Sequence, residues 1–237
     1  MRYRNELKFI LSYQTSERIK RRIKGVMAPD SHSGGIYTVS NIYVDDMYDT
    51  FYNDKHFGKY RRDKYRARYY NGDLSFIRFE NKHKDGSLSY KNSVIMTKDE
   101  LSQMASGDFG FMDKSENPLW QAMNAIQITR GLRPSAAFTY VREAYVYPPG
   151  DVRITFDSSM RPDSLKIDDL DTVSEYAKNG GASNNLSIGA AVGFDLIMEL
   201  KYTGFLPTVI AGMLQDVPII HTEMSKYCFM RERRFTY

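Results

Sequence analysis

A single cysteine, Cys228, stands among 237 residues, so no intrachain disulfide framework can staple this fold, and a reducing compartment suits it. No apolar run is long enough to cross a membrane as a helix, and the N-terminus lacks the apolar stretch of a signal peptide. Excess charge is scarce as well: 33 Lys and Arg against 29 Asp and Glu leave a formal +4, too little to point to nucleic acid. Familiar catalytic patterns are missing. There is no GxxxxGK[ST] loop for phosphates, no HExxH or CxxC pair for a metal, and no serine in a nucleophile-elbow context. Gly180, Gly181 and Gly189 fall in a polar stretch, and His32 has no Cys or His neighbour at metal-ligand spacing. A cytoplasmic protein without membrane segments, long enough for an ample core, is expected.

The arrangement of charge carries more than its total. From Lys64 to Lys91 charges recur every second residue: Arg66 and Arg68 share one face of a predicted strand, and Tyr65, Ala67 and Tyr69 share the other. After the turn at Asn71-Gly72-Asp73, Arg78, Glu80 and Lys82 form a second row with Ile77 and Phe79 pointing away. A third segment follows Asp85-Gly86 and places Lys91 with Ser89 and Ser93. Alternation alone fits any half-buried antiparallel sheet with a solvated face. The pattern recurs, however, in Glu6-Leu7-Lys8-Phe9, in Arg153 to Asp157 and in Glu199-Leu200-Lys201-Tyr202. Together these rows predict a mainly β (α+β) protein whose sheet closes into an antiparallel barrel, apolar residues outward against helices and charges inward around a channel. Like charges gathered there repel and lose hydration, so an anion is the implied partner.

In chain order, a first strand is predicted over about 3–12, then a basic helix capped at Thr15 or Ser16 and running to about Gly25. A strand over 36–45 follows, then a short helix or turn over 46–57 with Tyr48, Phe51, Tyr52 and Phe57 as its packing side. After the meander, Thr97 and Glu100 form a capping box and Asn117-Pro118 opens a further helix, giving a helical insertion at about 97–130. Pro134 is expected to end the connection before strands at 136–147 and 152–159. Residues 161–193 are rich in Asp, Ser, Asn and Gly, with short strands expected at 165–167 and 186–188. A last strand at 194–202 precedes a C-terminal helical segment over about 207–237, with Pro207 and Thr222 as helix starts. The Arg-rich end reads equally as a solubilising tail or as part of a site. Glu6, Glu80 and Glu199 could bring three carboxylates into a basic cavity, where hard divalent cations bridging a phosphate chain would explain their presence.

Eight stretches, in one order along nearly the whole chain, carry a family resemblance: YRNELKF at 3–9, YVDD at 43–46, KYRARYY at 64–70, RFENK at 78–82, TYVREAY at 139–145, VRITFD at 152–157, MELKYTGFLP at 198–207 and SKY at 225–227. The set resembles the VTC domain, the polyphosphate polymerase module of the CYTH-like triphosphate tunnel superfamily. The resemblance implies one domain over 1–237, built as a closed eight-stranded antiparallel tunnel barrel with helices packed outside. It implies metal-dependent transfer of the ATP γ-phosphoryl group onto phosphate or a growing polyphosphate chain. The alternatives are a triphosphatase or nucleoside triphosphatase of the same family, and a non-catalytic polyphosphate-binding module.

By the same resemblance Lys8, Arg66, Arg68, Lys82, Lys91, Arg142, Arg153 and Lys201 are the tunnel bases that hold triphosphate, ATP or polyphosphate. Lys226 of the SKY segment is a further base near a tunnel mouth. Glu199 is the principal ligand of Mn²⁺ or Mg²⁺, with Glu6 and Glu80 as further candidates. Where the family pattern often continues with another base after the position of Lys91, this chain has Asn92. Because the sequence starts almost at the first predicted strand, neither the N-terminal phosphate-sensing domain nor the membrane segments of the eukaryotic complex are expected. No protein partner is indicated.

Overall fold

The computed structural model describes residues 4–31, 35–86, 88–163 and 196–233. It is mainly antiparallel β-sheet with six α-helices among those residues. Eight strands are long: β1 (Arg4–Leu11), β3 (Ile36–Asp46), β4 (Arg61–Tyr70), β5 (Asp73–Asp85), β6 (Leu88–Met96), β7 (Leu132–Tyr147), β8 (Val152–Pro162) and β9 (Leu196–Thr203). Two more, β2 (Ala28–Pro29) and β10 (Ile220–His221), are two residues each. The helices are α1 (Tyr13–Ile23), α2 (Thr50–His56), α3 (Lys98–Ser106), α4 (Pro118–Arg130), α5 (Thr208–Leu214) and α6 (Lys226–Arg233). Hydrogen bonds order the strands β10-β1-β9-β8-β7-β3-β4-β5-β6, with β2 beside β7. That order has two ends. Among the described residues the expected closed barrel is therefore not made by hydrogen bonds, because no ladder joins β6 to β10.

The chain forms two compact units. The first contains β1, α1, β2, β7 from Tyr140 onward, β8, β9, α5 and β10. Its core gathers Leu11, Ile19, Ile23, Ile154, Phe156, Met198, Leu200 and Ile210, with Leu7 and Phe9 packed on the margin. These are the odd residues of β1 and the even residues of β8 and β9, so the charged residues between them take the opposite face. The helix α1 starts earlier than predicted. Ser12, extended directly after β1, accepts a hydrogen bond from the Thr15 backbone N–H at 3.1 Å, and Thr15 and Ser16 become buried first-turn residues.

The second unit contains β3 from Val39, α2, β4, β5, β6, α3, α4, β7 up to Thr139, and α6. Ile77 and Phe79 of β5 are 0% and 1% exposed and share a core with Tyr65, Ala67, Tyr69, Leu101, Met104 and Trp120. Each such large apolar side chain contributes about 2 kcal/mol by leaving water. The capping box that starts α3 is present, with Thr97 N–H on Glu100 at 2.6 Å and Glu100 N–H on Thr97 at 3.2 Å. The helix α4 starts as expected, Asn117 accepting from the Leu119 N–H at 2.9 Å with Pro118 in the first turn.

Four expectations are corrected here. The strand β7 begins at Leu132, so Pro134 lies inside a strand; its fixed φ suits extended chain and costs only a donor. Tyr48 and Phe57, 72% and 74% exposed, fall outside the ends of α2, and it is Phe51 that packs inward against Tyr65 at 4.8 Å. Thr222 caps no helix: its hydroxyl accepts from the Met224 N–H at 3.1 Å, and α6 starts only at Lys226. Arg231 is no solubilising residue, being 3% exposed and ion-paired with Asp45. The strands expected at 165–167 and 186–188, His32 and Arg234 lie outside the described residues.

Candidate active site

One face of the second unit is built by cross-strand register. Tyr43 of β3 opposes Arg66 of β4, Arg66 opposes Glu80 of β5, and Glu80 opposes Ser93 of β6. Two residues along, Lys64, Lys82 and Lys91 stand directly opposite one another. On the other side of that row, Arg62 faces Lys84; beyond Arg66, Arg68 faces Arg78. Of the residues on this face of β4, β5 and β6, Glu80 is the one carboxylate against Arg62, Lys64, Arg66, Arg68, Arg78, Lys82, Lys84 and Lys91. Like charges directly opposed are unfavourable, so an anion placed on this face would be attracted to it and relieve the repulsion. The reverse face is balanced instead, with Arg61 on Asp85 at 3.1 Å and His83 on Asp63 at 2.9 Å.

The cations are held in place by their neighbours. Arg66 donates Nε and Nη2 to Glu80 Oε2 at 3.0 and 2.8 Å and Nη1 to the Tyr43 hydroxyl at 2.9 Å. Lys91 donates to Glu80 Oε1 at 2.6 Å, Arg68 to Asn41 Oδ1 at 2.9 Å, and Lys64 to the Ser225 hydroxyl at 2.7 Å. Burial alone would raise the Glu80 pKa, but Arg66, Arg68 and Lys91 outweigh it and bring the carboxyl down to about 2. Burial would likewise raise the Tyr43 phenol, yet Arg66, Arg68 and Lys226 pull it below its ordinary value. Asn92, the departure from the family pattern, pairs with Asn81 on the reverse face and so leaves the basic face untouched.

The first unit carries a different set, in which both signs balance. Glu6 opposes Lys201 and Lys8 opposes Glu199 across β1 and β9, while Arg153 of β8 opposes Lys201. Lys201 Nζ lies 3.4 Å from Glu199 Oε2 and 3.8 Å from Glu6 Oε2, and Lys8 lies 3.5 Å from Glu6. Arg142 grips Asp157 with both arms, at 2.6 and 2.7 Å, and lies 3.9 Å from Glu199. Burial opposes the Arg142 charge, but Asp157, Tyr140 and Glu199 more than restore it, holding the group well above its ordinary pKa. Arg153 turns to Asp30 at 2.6 Å and the Tyr37 hydroxyl at 2.9 Å.

Among the described residues, no group of three His, Cys, Asp or Glu side chains is placed to hold a metal. A convergence of Glu6, Glu80 and Glu199 on one metal is not found among the described residues. What the structure does supply is a pair of carboxylates reaching toward one ammonium, that of Lys201, which marks a place where positive charge is stabilised. Two hard oxygen donors fit Mg²⁺ or Mn²⁺, since such ions take one or two carboxylates and complete their shell with water and phosphate oxygens. Glu80, committed to Arg66 and Lys91, fits that task less well.

The sequence-predicted residues therefore fall into two sets. Arg66, Arg68, Glu80, Lys82 and Lys91 come together in the second unit, with Lys226 close enough to act on Tyr43. Lys8, Glu6, Arg142, Arg153, Glu199 and Lys201 come together in the first. Lys64, Arg62 and Lys84 were not singled out, although their parity with Arg66 and Lys82 was the signal. Asp157 was legible by parity with Arg153, but its partner turned out to be Arg142. Tyr43 and Asp45 lie in the YVDD stretch, which does not tell their roles, and Asn41 lies outside every stretch that carries the family resemblance.

An antiparallel β protein with a cationic strand face and a row of paired acids and bases is the class these elements define. The chain belongs to the VTC domain family, whose profile matches residues 3–233. Among solved structures it is similar in fold to HpAC1 from Hippeastrum, described as having a dominant triphosphatase activity, at 12% identity and TM-score 0.55, covering 96% of this chain and 95% of that one. It is also similar to the PH1819 protein of Pyrococcus horikoshii OT3, at 11% identity and TM-score 0.50, covering 98% and 100%. The bh2851 protein of Bacillus halodurans aligns at 10% identity and TM-score 0.50, covering 91% and 87%. No curated protein matches the chain. No described helix is long and apolar enough to cross a membrane.

Proposed function

We propose that this protein is a metal-dependent polyphosphate polymerase that moves the γ-phosphoryl group of ATP onto phosphate or the end of a polyphosphate chain. Family membership supports a triphosphate-handling function. The observation that favours a polymer is the length of the basic face. Its rows, from Arg68 and Arg78 through Arg66 and the three lysines to Arg62 and Lys84, lie two residues apart, so they extend about 20 Å along the strands. That exceeds the span of a triphosphate and suits a linear chain of phosphates.

In this proposal Arg66 and Arg68 grip successive phosphates with planar forks, and Lys64, Lys82, Lys91 and Lys226 add compact charge. Lys8, Arg142, Arg153 and Lys201 belong to the same work, Glu199 and Glu6 would hold Mg²⁺ or Mn²⁺, and Glu80 orients Arg66 and Lys91. The cation, when bound, supplies charge neutralisation at the transferring phosphoryl oxygens. The bond from the γ-phosphorus to the ADP oxygen breaks and one to the acceptor phosphate oxygen forms. That acceptor is already anionic, so alignment and charge compensation are needed rather than a general base. The single domain over 1–237, its closure into an eight-stranded tunnel and the action of both residue sets on one chain rest on the family resemblance and are part of the proposal.

The test is to incubate purified protein with ATP and Mn²⁺ or Mg²⁺, with and without short polyphosphate, and to resolve chain lengths on a gel beside released phosphate. Lengthening is expected. Phosphate release alone would identify a hydrolase, and retention without turnover a binding module.

A further inference from the structure

The helix α6 hangs from an anchor on β3. Arg231 donates Nη1 to Asp45 Oδ2 at 2.8 Å and its other arm to Asp49, and Tyr227, one turn earlier, donates its hydroxyl to the same Asp45 oxygen at 2.7 Å. Asp45 is fixed independently of the helix, because it accepts from the backbone N–H groups of Phe51 and Tyr52 at 2.9 and 3.0 Å. The Tyr227 ring stacks on Tyr43 with centroids 4.6 Å apart and planes 14° apart, and Phe138 stacks on Tyr43 at 5.5 Å. The hydroxyl of that tyrosine accepts from Arg66. A continuous set of contacts thus runs from the C-terminal helix to the centre of the basic face.

We propose that Tyr43 and Tyr227 form a positioning relay for the Arg66 guanidinium, through which docking of α6 is coupled to the binding of a phosphate chain. The proposal rests on the basic face being a phosphate site. A guanidinium offers five N–H groups in one plane. Glu80 takes two from the β5 side and Tyr43 one from the β3 side, so the plane, and with it the direction of any phosphate it grips, is fixed from two sides. Burial would raise the Tyr43 pKa, but the charges of Arg66, Arg68 and Lys226 outweigh it and lower it, and the same attraction holds the phenol oxygen on the Arg66 N–H. If α6 leaves, Tyr43 keeps Phe138 but loses the closer of the two rings stacked on it, and its hydroxyl is held less firmly on the guanidinium. Because coupling is reciprocal, a phosphate chain that needs Arg66 in place also holds the helix down. Neither tyrosine touches the reacting atoms in this account; both are positioning residues.

The experiment uses the full chain and sodium tripolyphosphate as probe, reading affinity by calorimetry and amide exchange of residues 226–233 with and without the probe. Wild type should bind, and binding should slow exchange in α6. Tyr43→Phe keeps the ring and removes one hydroxyl. Losing a hydrogen bond to a charged group, it should weaken binding about tenfold, leave exchange without probe unchanged, and abolish most of the slowing. Tyr227→Phe should speed exchange without probe and weaken binding as well. Lys226 is itself one of the proposed phosphate-binding bases, so Lys226→Ala should weaken binding; read at saturating probe it separates direct protection of the helix by that contact from the relay, and the slowing should survive in it. Wild-type affinity and slowing in Tyr43→Phe would overturn the relay, as would slowing lost only in Lys226→Ala. No binding by wild type would instead overturn the phosphate site, and the relay with it.

Discussion

Arg66 and Glu80 are register partners across β4 and β5, and two arms of the arginine converge on one carboxylate oxygen, at 3.0 and 2.8 Å, while Lys91 takes the other oxygen at 2.6 Å. The glutamate is 2% exposed. It is the internal counter-charge around which the cations of this face gather.

The first prediction follows from its acidity. The Glu80 pKa is lowered from 4.5 to about 2, so folding favours the ionised form. The associated stability, of order 3 kcal/mol, is present above pH 4.5 and lost as pH falls through about 2. Glu80→Gln should lower neutral-pH stability by a comparable amount and flatten the acid limb over that window. Saturating tripolyphosphate should narrow the gap in melting temperature between variant and wild type, because the ligand replaces the lost counter-charge. Denaturant melts across pH, with and without the probe, measure both. An acid limb unchanged by the substitution would show that Glu80 does not carry this term.

A second prediction separates the two arginines of β4. By sequence alone, removing either should weaken triphosphate binding while the fold stands. The pairing alters this for Arg66: Arg66→Ala strands a buried carboxylate and should cost about 3 kcal/mol besides weakening binding. Arg68 donates to the neutral Asn41 and adds to the positive field on Glu80 without entering its hydrogen-bonded pair with Arg66, so Arg68→Ala should weaken tripolyphosphate binding about tenfold or more and cost less stability than Arg66→Ala. Calorimetry paired with thermal melts checks the contrast. Equal losses of stability in the two variants would contradict it.

What could be read from the sequence was what repeats or is local. The period of two put Arg66, Arg68, Glu80 and Lys82 on one face and Ile77 and Phe79 on the other, and the Thr97–Glu100 box fixed the start of α3. Lys64, Arg62 and Lys84 obey the same period, but alternation alone does not separate a lysine or arginine of a solvated strand face from one of a binding face. The bond between Asp45 and Arg231 links residues 186 positions apart, and nothing in YVDD tells which aspartate anchors a distant helix. The start of β7 was misplaced for another reason: a proline is read as a stop, whereas an extended strand accommodates its φ.

The third prediction concerns Glu199. Its contacts to Lys201 at 3.4 Å and Arg142 at 3.9 Å are longer than close ionic hydrogen bonds, and each base has a second acid, Glu6 and Asp157 respectively. Glu199→Gln should therefore cost under about 2 kcal/mol of stability. As a metal ligand at the transferring phosphoryl group, its loss should reduce turnover by about 10²–10³-fold and shift the metal concentration needed for half-maximal rate upward. Rates over a Mg²⁺ and Mn²⁺ titration, with a melt of the same preparation, decide it. Full turnover at unchanged metal dependence would leave Glu199 a structural ion-pair partner.

The final prediction tests the length of the basic face. Tripolyphosphate can engage the arginine and lysine rows but not the whole track of about 20 Å, so affinity should rise with chain length until the row of Arg62 and Lys84 is reached. That row sits at one end, half exposed, and neither residue enters the Glu80 ion pairs. Arg62→Ala combined with Lys84→Ala should leave tripolyphosphate affinity within about twofold of wild type, since no contact to the short probe is removed. The same pair should weaken a long chain by about tenfold, each exposed cation contributing under about 1 kcal/mol. Both probes are to be titrated at one fixed salt concentration, because counterion release makes affinities at different salt incomparable. If both probes weaken equally, the two residues act only through the general field of the face; if neither weakens, the phosphate chain does not run toward Arg62 and Lys84.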